Sequence, residues 1–131
     1  MIIAIDFDGT VVKHAYPLIG EDIGAISVLK ELVENGHKLI LWTMRSNENL
    51  LAAEHYLKSK GVELYGVNEN PTQKEWTNSS KAYANLYIDD AALGIPLIIP
   101  ENERPYCDWT MIRYILVSMG VIVYKKPNTW K

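Results

Sequence analysis

Ile2-Ile3-Ala4-Ile5-Asp6-Phe7-Asp8-Gly9-Thr10 is a short apolar run that meets two acids and then a glycine. An unbroken, β-branched apolar run of this length reads as a strand buried on both faces, as in a parallel sheet, rather than the alternating strand of a half-exposed one. The two carboxylates then stand at the C-terminal end of that strand.

Working outward, a loop containing Pro17 and Gly20 leads to 22–35, where Ile23, Ile26, Leu29, Leu32 and Val33 recur at helical spacing before Gly36. A second buried strand is expected over 37–43, with Leu39-Ile40-Leu41-Trp42 at its centre and polar Thr43 at its end. A helix from about Asn47 to Lys60, ended by Gly61, and a shorter strand within 62–67 follow. The stretch 68–80 is rich in Asn, Thr, Pro and Ser and reads as an irregular loop. Leu86-Tyr87-Ile88 is a further strand that again ends in acid, at Asp89-Asp90, and 95–99 is expected to be the last one. Asp108 caps a closing helix to about Met119, with Trp109, Ile112, Ile115, Leu116 and Met119 toward the core.

Strands alternating with helices imply an α/β fold: a mostly parallel central sheet, helices on both faces and right-handed crossovers. Ligands of such sheets bind in the crevice outside the carboxyl ends of the strands, where Asp6, Asp8, Thr43, Asp89 and Asp90 would converge. With 131 residues and neither repeat nor linker, a single domain over 1–131 is expected.

Composition narrows the function. A hydrophobic fraction of 48% with 22% charged residues is that of an ordinary globular chain rather than a disordered or fibrous one. A net charge of -3 gives no general attraction to nucleic acid or anionic membrane. The lone Cys107 cannot close an internal disulfide and reads as a buried, inert thiol. No basic leader precedes the first apolar run, and no stretch reaches the ~20 apolar residues of a membrane span, so a cytoplasmic address is expected.

Two carboxylates at the end of one strand repel each other, and a hard divalent cation relieves that repulsion most simply. Asp89 and Asp90 add oxygen ligands at the same edge. Oxygen donors without cysteine or histidine beside them in sequence favour Mg²⁺ over Zn²⁺, and Mg²⁺ shares its shell with substrate phosphate. The competing interpretation, a calcium loop, lacks the later ligands, since Val11, Lys13 and Tyr16 follow. Thr43 alone would be an ordinary strand-end residue, and Lys81 alone a solvated charge.

In this order, Asp6-Phe7-Asp8-Gly9-Thr10, Thr43 after its strand, Lys81, and Asp89-Asp90 after theirs, the chain resembles the haloacid dehalogenase (HAD) superfamily of phosphatases. The resemblance implies a three-layer α/β/α Rossmann-like fold and a Mg²⁺-dependent phosphohydrolase. It implies that Asp6 is the nucleophile and becomes an aspartyl-phosphate, and that Asp8 is the acid and base and faces the metal with its carbonyl. Thr43 and Lys81 would bind the phosphoryl group, and Asp89 and Asp90 would complete the metal shell. A carboxylate at Asp8 separates the superfamily's phosphatases from its dehalogenases.

Arg45 either reaches a substrate phosphate or begins the next helix. His14, Tyr16 and Trp76 lie on loops near the expected site, as specificity contacts or as loop packing, and His37 and His55 read as structural or solvent-facing. Neither the interval from Val11 to His37 nor that from Met44 to Ser80 has space for the cap domain that many relatives insert. A capless member is therefore expected, resembling short bacterial and phage hydrolases of the superfamily. Its open edge must be closed by a large substrate, a neighbouring subunit or the loops 13–20 and 68–80. A small phosphate monoester is the expected substrate; the alternatives are a nucleic-acid end, a phosphoprotein, or a binding module without turnover.

Overall fold

β1, Ile2–Ile5, lies at the middle of a four-stranded parallel sheet, with β2 (Lys38–Leu41) on one side and β4 (Leu86–Ile88) on the other; β3 (Gly66–Val67) forms the edge beyond β2. This is a computed structural model, and it describes residues 1–123. Ile3 is level with Leu39 and Leu86, and Ile5 with Leu41 and Ile88. Because side chains alternate along a strand, Ile3, Ile5, Leu39, Leu41 and Ile88 enter one core while Ala4 and Ile40 enter another. Both faces of β1 are buried, which is why the opening run carries no polar alternation.

The first face is covered by α1 (Ala25–Glu34), α2 (Asn47–Ser59) and α3 (Trp109–Ser118). Val28, Leu29 and Leu32 of α1, Ala53 and Leu57 of α2, and Trp109, Ile112 and Leu116 of α3 pack into one cluster with the strands. α1 starts at Ala25, three residues after Asp22; the Asp22 carboxylate accepts hydrogen bonds from the Gly24 and Ala25 N–H groups and closes the entrance. Asp108 caps α3 as expected, accepting from the Met111 N–H at 3.2 Å.

The opposite face follows from chain direction. β1 to β2 to β3 runs one way across the sheet, and the crossover from β3 to β4 runs back, so a right-handed connection must pass over the other side. There Ala84 packs on Ala4 and Ile40, with Ile2, Trp42 and Tyr65 around them. The crossover holds a single 3₁₀ turn, Gln73–Glu75, in place of a full helix. Its irregular backbone is satisfied from within: the buried Gln73 amide donates to Ser79 O and Lys81 O and accepts from the Tyr83 N–H. The α/β class and the parallel sheet are those expected.

The strand expected over 95–99 is present as β5 (Leu97–Ile98), but it does not extend the parallel sheet. It pairs antiparallel with β6 (Tyr106–Cys107), which periodicity could not show because the strand is two residues long. Between Asp8 and Thr43 the chain holds a loop, α1 and β2, and between Thr43 and Lys81 it holds α2, β3 and the 3₁₀ turn; no cap domain lies among the described residues. No helix among them is long and apolar enough to cross a membrane.

α3 also reaches the acid-bearing loop, where the buried Trp109 indole donates to Thr10 O at 2.6 Å. Trp109→Phe keeps one aromatic ring but removes the N–H-bearing half of the buried indole and orphans that carbonyl, and should cost at least about 1–3 kcal/mol in denaturant unfolding; a change below roughly 0.5 kcal/mol would remove this bond from the account of the fold.

Candidate active site

The parallel order brings three strand ends side by side. The Asp6 N–H donates to Ile88 O at 3.0 Å, and the Trp42 N–H to Ile5 O at 2.8 Å, so the residues after β1, β2 and β4 leave the sheet together. β1 is the strand from which the chain departs in both directions, the switch point at which such sheets open a crevice. A cavity of about 590 Å³ lies there, lined by Asp6, Asp8, Thr43, Arg45, Asp89 and Asp90 together with His14, Tyr16, Met44, Ala91 and Arg104.

Within it, carboxylate oxygens of Asp6, Asp89 and Asp90 all lie within 4.8 Å of one another. Thr10, fully buried, ties them: its hydroxyl donates to Asp6 Oδ2 at 2.7 Å and accepts from the Asp90 N–H at 2.9 Å. His14 Nε2 meets Asp90 Oδ2 at 2.9 Å, and the Ala91 N–H donates to Asp89 Oδ1 at 2.8 Å. Gly9, directly after the second motif acid, has φ +79°, and a Cβ there would fall on the His14 ring and the Asp90 carboxylate. Only glycine fits both requirements.

Asp8 takes a different partner. Its two oxygens accept from Arg45 Nε and Nη2, each at 2.8 Å, a bidentate pair. The same guanidinium donates to Pro17 O, Leu18 O and Asn49 O, and Arg45 is 3% exposed. Arg45 therefore neither begins α2 nor offers itself to a substrate phosphate, and its proposed substrate contact is corrected to a clamp on Asp8 and on the loop at 17–18. The Asp8 carboxylate points to Arg45, and the carboxylates grouped closely enough that they could hold a metal ion are Asp6, Asp89 and Asp90.

Thr43 lines the cavity, its N–H bonded to Asn68 Oδ1 at 2.8 Å and its hydroxyl accepting from the Arg45 N–H at 3.2 Å. Lys81 does not join these residues: it is exposed, with Nζ over the Tyr87 ring at 5.4 Å from its centroid. Trp76 packs edge-on against Tyr83 and takes no part, while His14 and Tyr16 line the cavity. His37 is structural, bridging the N-terminus and Val121 O. The roles of Thr10 as tie and of Arg104 as cavity wall carried no sequence signal beyond the motif itself.

Burial pushes the Asp6 carboxyl up from 3.8 to about 7; the Thr10 hydroxyl opposes this, and Asp89 and Asp90 add to it. Three crowded carboxylates, one of them costly to ionise, fit the charge of a hard divalent cation. A raised carboxyl contributes stability that is fully present below 3.8 and lost as pH rises through about 7. Metal-free protein should thus lose roughly 2–3 kcal/mol between pH 5 and pH 8 relative to Asp6→Asn, in which this group cannot titrate. Denaturant unfolding in chelator measures the difference, and parallel pH profiles for the two proteins would contradict it. Mg²⁺ should restore the loss. Burial pushes the Cys107 thiol up to about 12, so it stays protonated and is no nucleophile.

Fold and site together define an α/β protein with an acidic crevice at the switch point of a parallel sheet. The solved structure of a conserved protein coded by a locus of Bacteroides thetaiotaomicron is similar to it, 37% identical with a TM-score of 0.74 over 96% of this chain and 98% of that one. The chain belongs to the family of that conserved protein. No protein-family model and no curated protein matches the chain.

Proposed function

We propose that this protein is a Mg²⁺-dependent phosphohydrolase of the HAD type, acting on a small phosphate monoester through an aspartyl-phosphate on Asp6. The observation that carries the reading is the grouping of Asp6, Asp89 and Asp90 within 4.8 Å at the carboxyl edge of the sheet, in a cavity of about 590 Å³, a size suited to a small metabolite. Mg²⁺ held by these carboxylates would offset their charge and that of the phosphate.

In the proposed reaction Asp8 first takes up a proton from solvent and releases one oxygen from Arg45; an Asp6 oxygen then attacks phosphorus, the ester P–O bond breaks, and the leaving oxygen takes that proton from Asp8. Water then attacks the phospho-enzyme, giving its proton to Asp8, and the P–O bond to Asp6 breaks to release phosphate. Arg45 fixes where Asp8 stands, and the Thr43 hydroxyl, on the cavity wall, would donate to the phosphoryl oxygens. Lys81 is given no step, since its ammonium stands over Tyr87. A cytoplasmic address belongs to the same proposal, supported by a single buried cysteine.

The test is a panel of phosphate esters, from aryl phosphates and sugar phosphates to an end-phosphorylated oligonucleotide, with phosphate release followed in Mg²⁺ and in chelator. Release that requires Mg²⁺ and favours the small esters is expected. If no ester is turned over and no fluoroberyllate complex forms at Asp6, the protein is a binding module on the same fold.

A further inference from the structure

The cations near the cavity are almost all engaged. Arg45 is buried on Asp8 and three carbonyls, Lys81 stands over Tyr87, and Lys13 is held by Glu103 and Glu21 at 3.1 and 3.7 Å. Arg104 differs: it is exposed and lines the same cavity as Asp6, Asp8, Asp89 and Asp90, and it has no hydrogen-bond or ion-pair partner among the described residues. It also lines an adjoining hollow of about 570 Å³ with Lys13, His14, Asn102 and the acids Glu21 and Glu103, which are the partners of Lys13, so it stands where the two spaces meet.

Its place is built into the fold. Arg104 sits on the turn between β5 and β6, whose ends are pinned by the pairing of Ile98 with Tyr106 and Leu97 with Cys107. β6 is in turn bonded to the motif loop through the Cys107 N–H and Gly9 O at 2.9 Å. A guanidinium tied to the catalytic loop through one short ribbon, and matched to no acid of its own, is suited to a bidentate anion supplied from outside.

We propose that Arg104 determines specificity, selecting phosphomonoesters that carry a second anionic group, a carboxylate or another phosphate, which it holds while the scissile phosphate lies at Asp6. The inference rests on the proposed phosphohydrolase activity. It answers a problem of charge: a substrate with a second anionic group enters beside Asp6, Asp89 and Asp90 and needs a counter-charge beyond the metal, and Arg104 is the cation on the wall without a partner among the described residues.

The experiment compares kcat/KM for substrate pairs that differ in the second anion: 3-phosphoglycerate against glycerol 3-phosphate for a carboxylate, and fructose 1,6-bisphosphate against fructose 6-phosphate for a phosphate. The member carrying the second anionic group should be favoured in at least one pair by about 10- to 100-fold, chiefly through KM, and the responding pair identifies the group. Arg104→Met should bring that ratio near one, Arg104→Lys should leave an intermediate ratio, and Arg104→Glu should invert it. A wild-type ratio near one in both pairs, or an Arg104→Met variant that keeps the wild-type ratio, overturns the inference while Mg²⁺-dependent hydrolysis of aryl phosphates leaves the reaction standing. Absence of turnover with every ester, aryl phosphates included, overturns both.

Discussion

Asp6→Asn should abolish Mg²⁺-dependent phosphate release, by at least about 10⁴-fold in kcat, while leaving the metal-free protein more stable than the wild type at pH 8. Both halves come from the same carboxylate. The amide keeps an oxygen to accept the Thr10 hydroxyl that now donates at 2.7 Å, so the local geometry has a partner for it. It removes the negative charge that burial and the neighbours Asp89 and Asp90 disfavour. An inactive variant is commonly dismissed as misfolded; one that is inactive and harder to unfold cannot be. The gain in stability should vanish on adding Mg²⁺, because the wild type recovers its own with the cation and the variant has lost a ligand. Residual turnover above roughly one part in a thousand would take the nucleophile's role away from Asp6.

Arg45→Met is expected to have the second large effect, a loss of about 3–5 kcal/mol. The methionine fills much of the volume but leaves the Asp8 carboxylate, whose side chain is 18% exposed, without its bidentate partner. It also strips donors from Pro17 O, Leu18 O and Asn49 O, and so loosens the loop that carries Tyr16 over the cavity. Replacing a buried pair by apolar groups is far less costly than breaking it, so Asp8→Asn combined with Arg45→Met should recover part of the loss. Arg45→Lys keeps the charge but cannot reproduce the fork, and should fall between. Equilibrium unfolding of the four proteins in chelator gives the cycle. A single-variant loss under about 1 kcal/mol would show that the pair is ornamental to stability.

The two variants separate what each motif acid does. Asp6 shares its space with two other acids and its carboxyl is raised by burial, whereas Asp8, two residues on, is neutralised in advance by a side chain from beyond β2. The chain leaves β1 after Ile5 and turns on the Phe7 carbonyl, which accepts from the Thr10 and Val11 N–H groups, so carboxylates two residues apart need not face the same way as they would along a strand.

Much of this was legible in the sequence. The run Ile2 to Ile5 could be read as a doubly buried strand because both of its faces are apolar, and the acids following β1 and β4 could be placed at one edge because parallel strands present their carboxyl ends together. The α1 boundary was displaced by three residues because the Asp22 carboxylate can accept the first N–H groups from outside the helix. β6 was invisible, since two residues carry no periodicity and Tyr106-Cys107 is a strand only by its pairing with Leu97 and Ile98.

What the sequence determined by itself was therefore the α/β class, the switch point at β1 and the set of acids at its edge, all properties of local pattern and chain direction. What only the tertiary structure decided was the use of the cations: Arg45 bound to Asp8, Lys81 over Tyr87, and Arg104 exposed on the cavity wall. The physical reason is reach. Hydrophobic periodicity is written along the chain within a few residues, whereas a long charged side chain takes whichever partner the fold brings within a few ångströms, 37 residues away for Arg45 and Asp8.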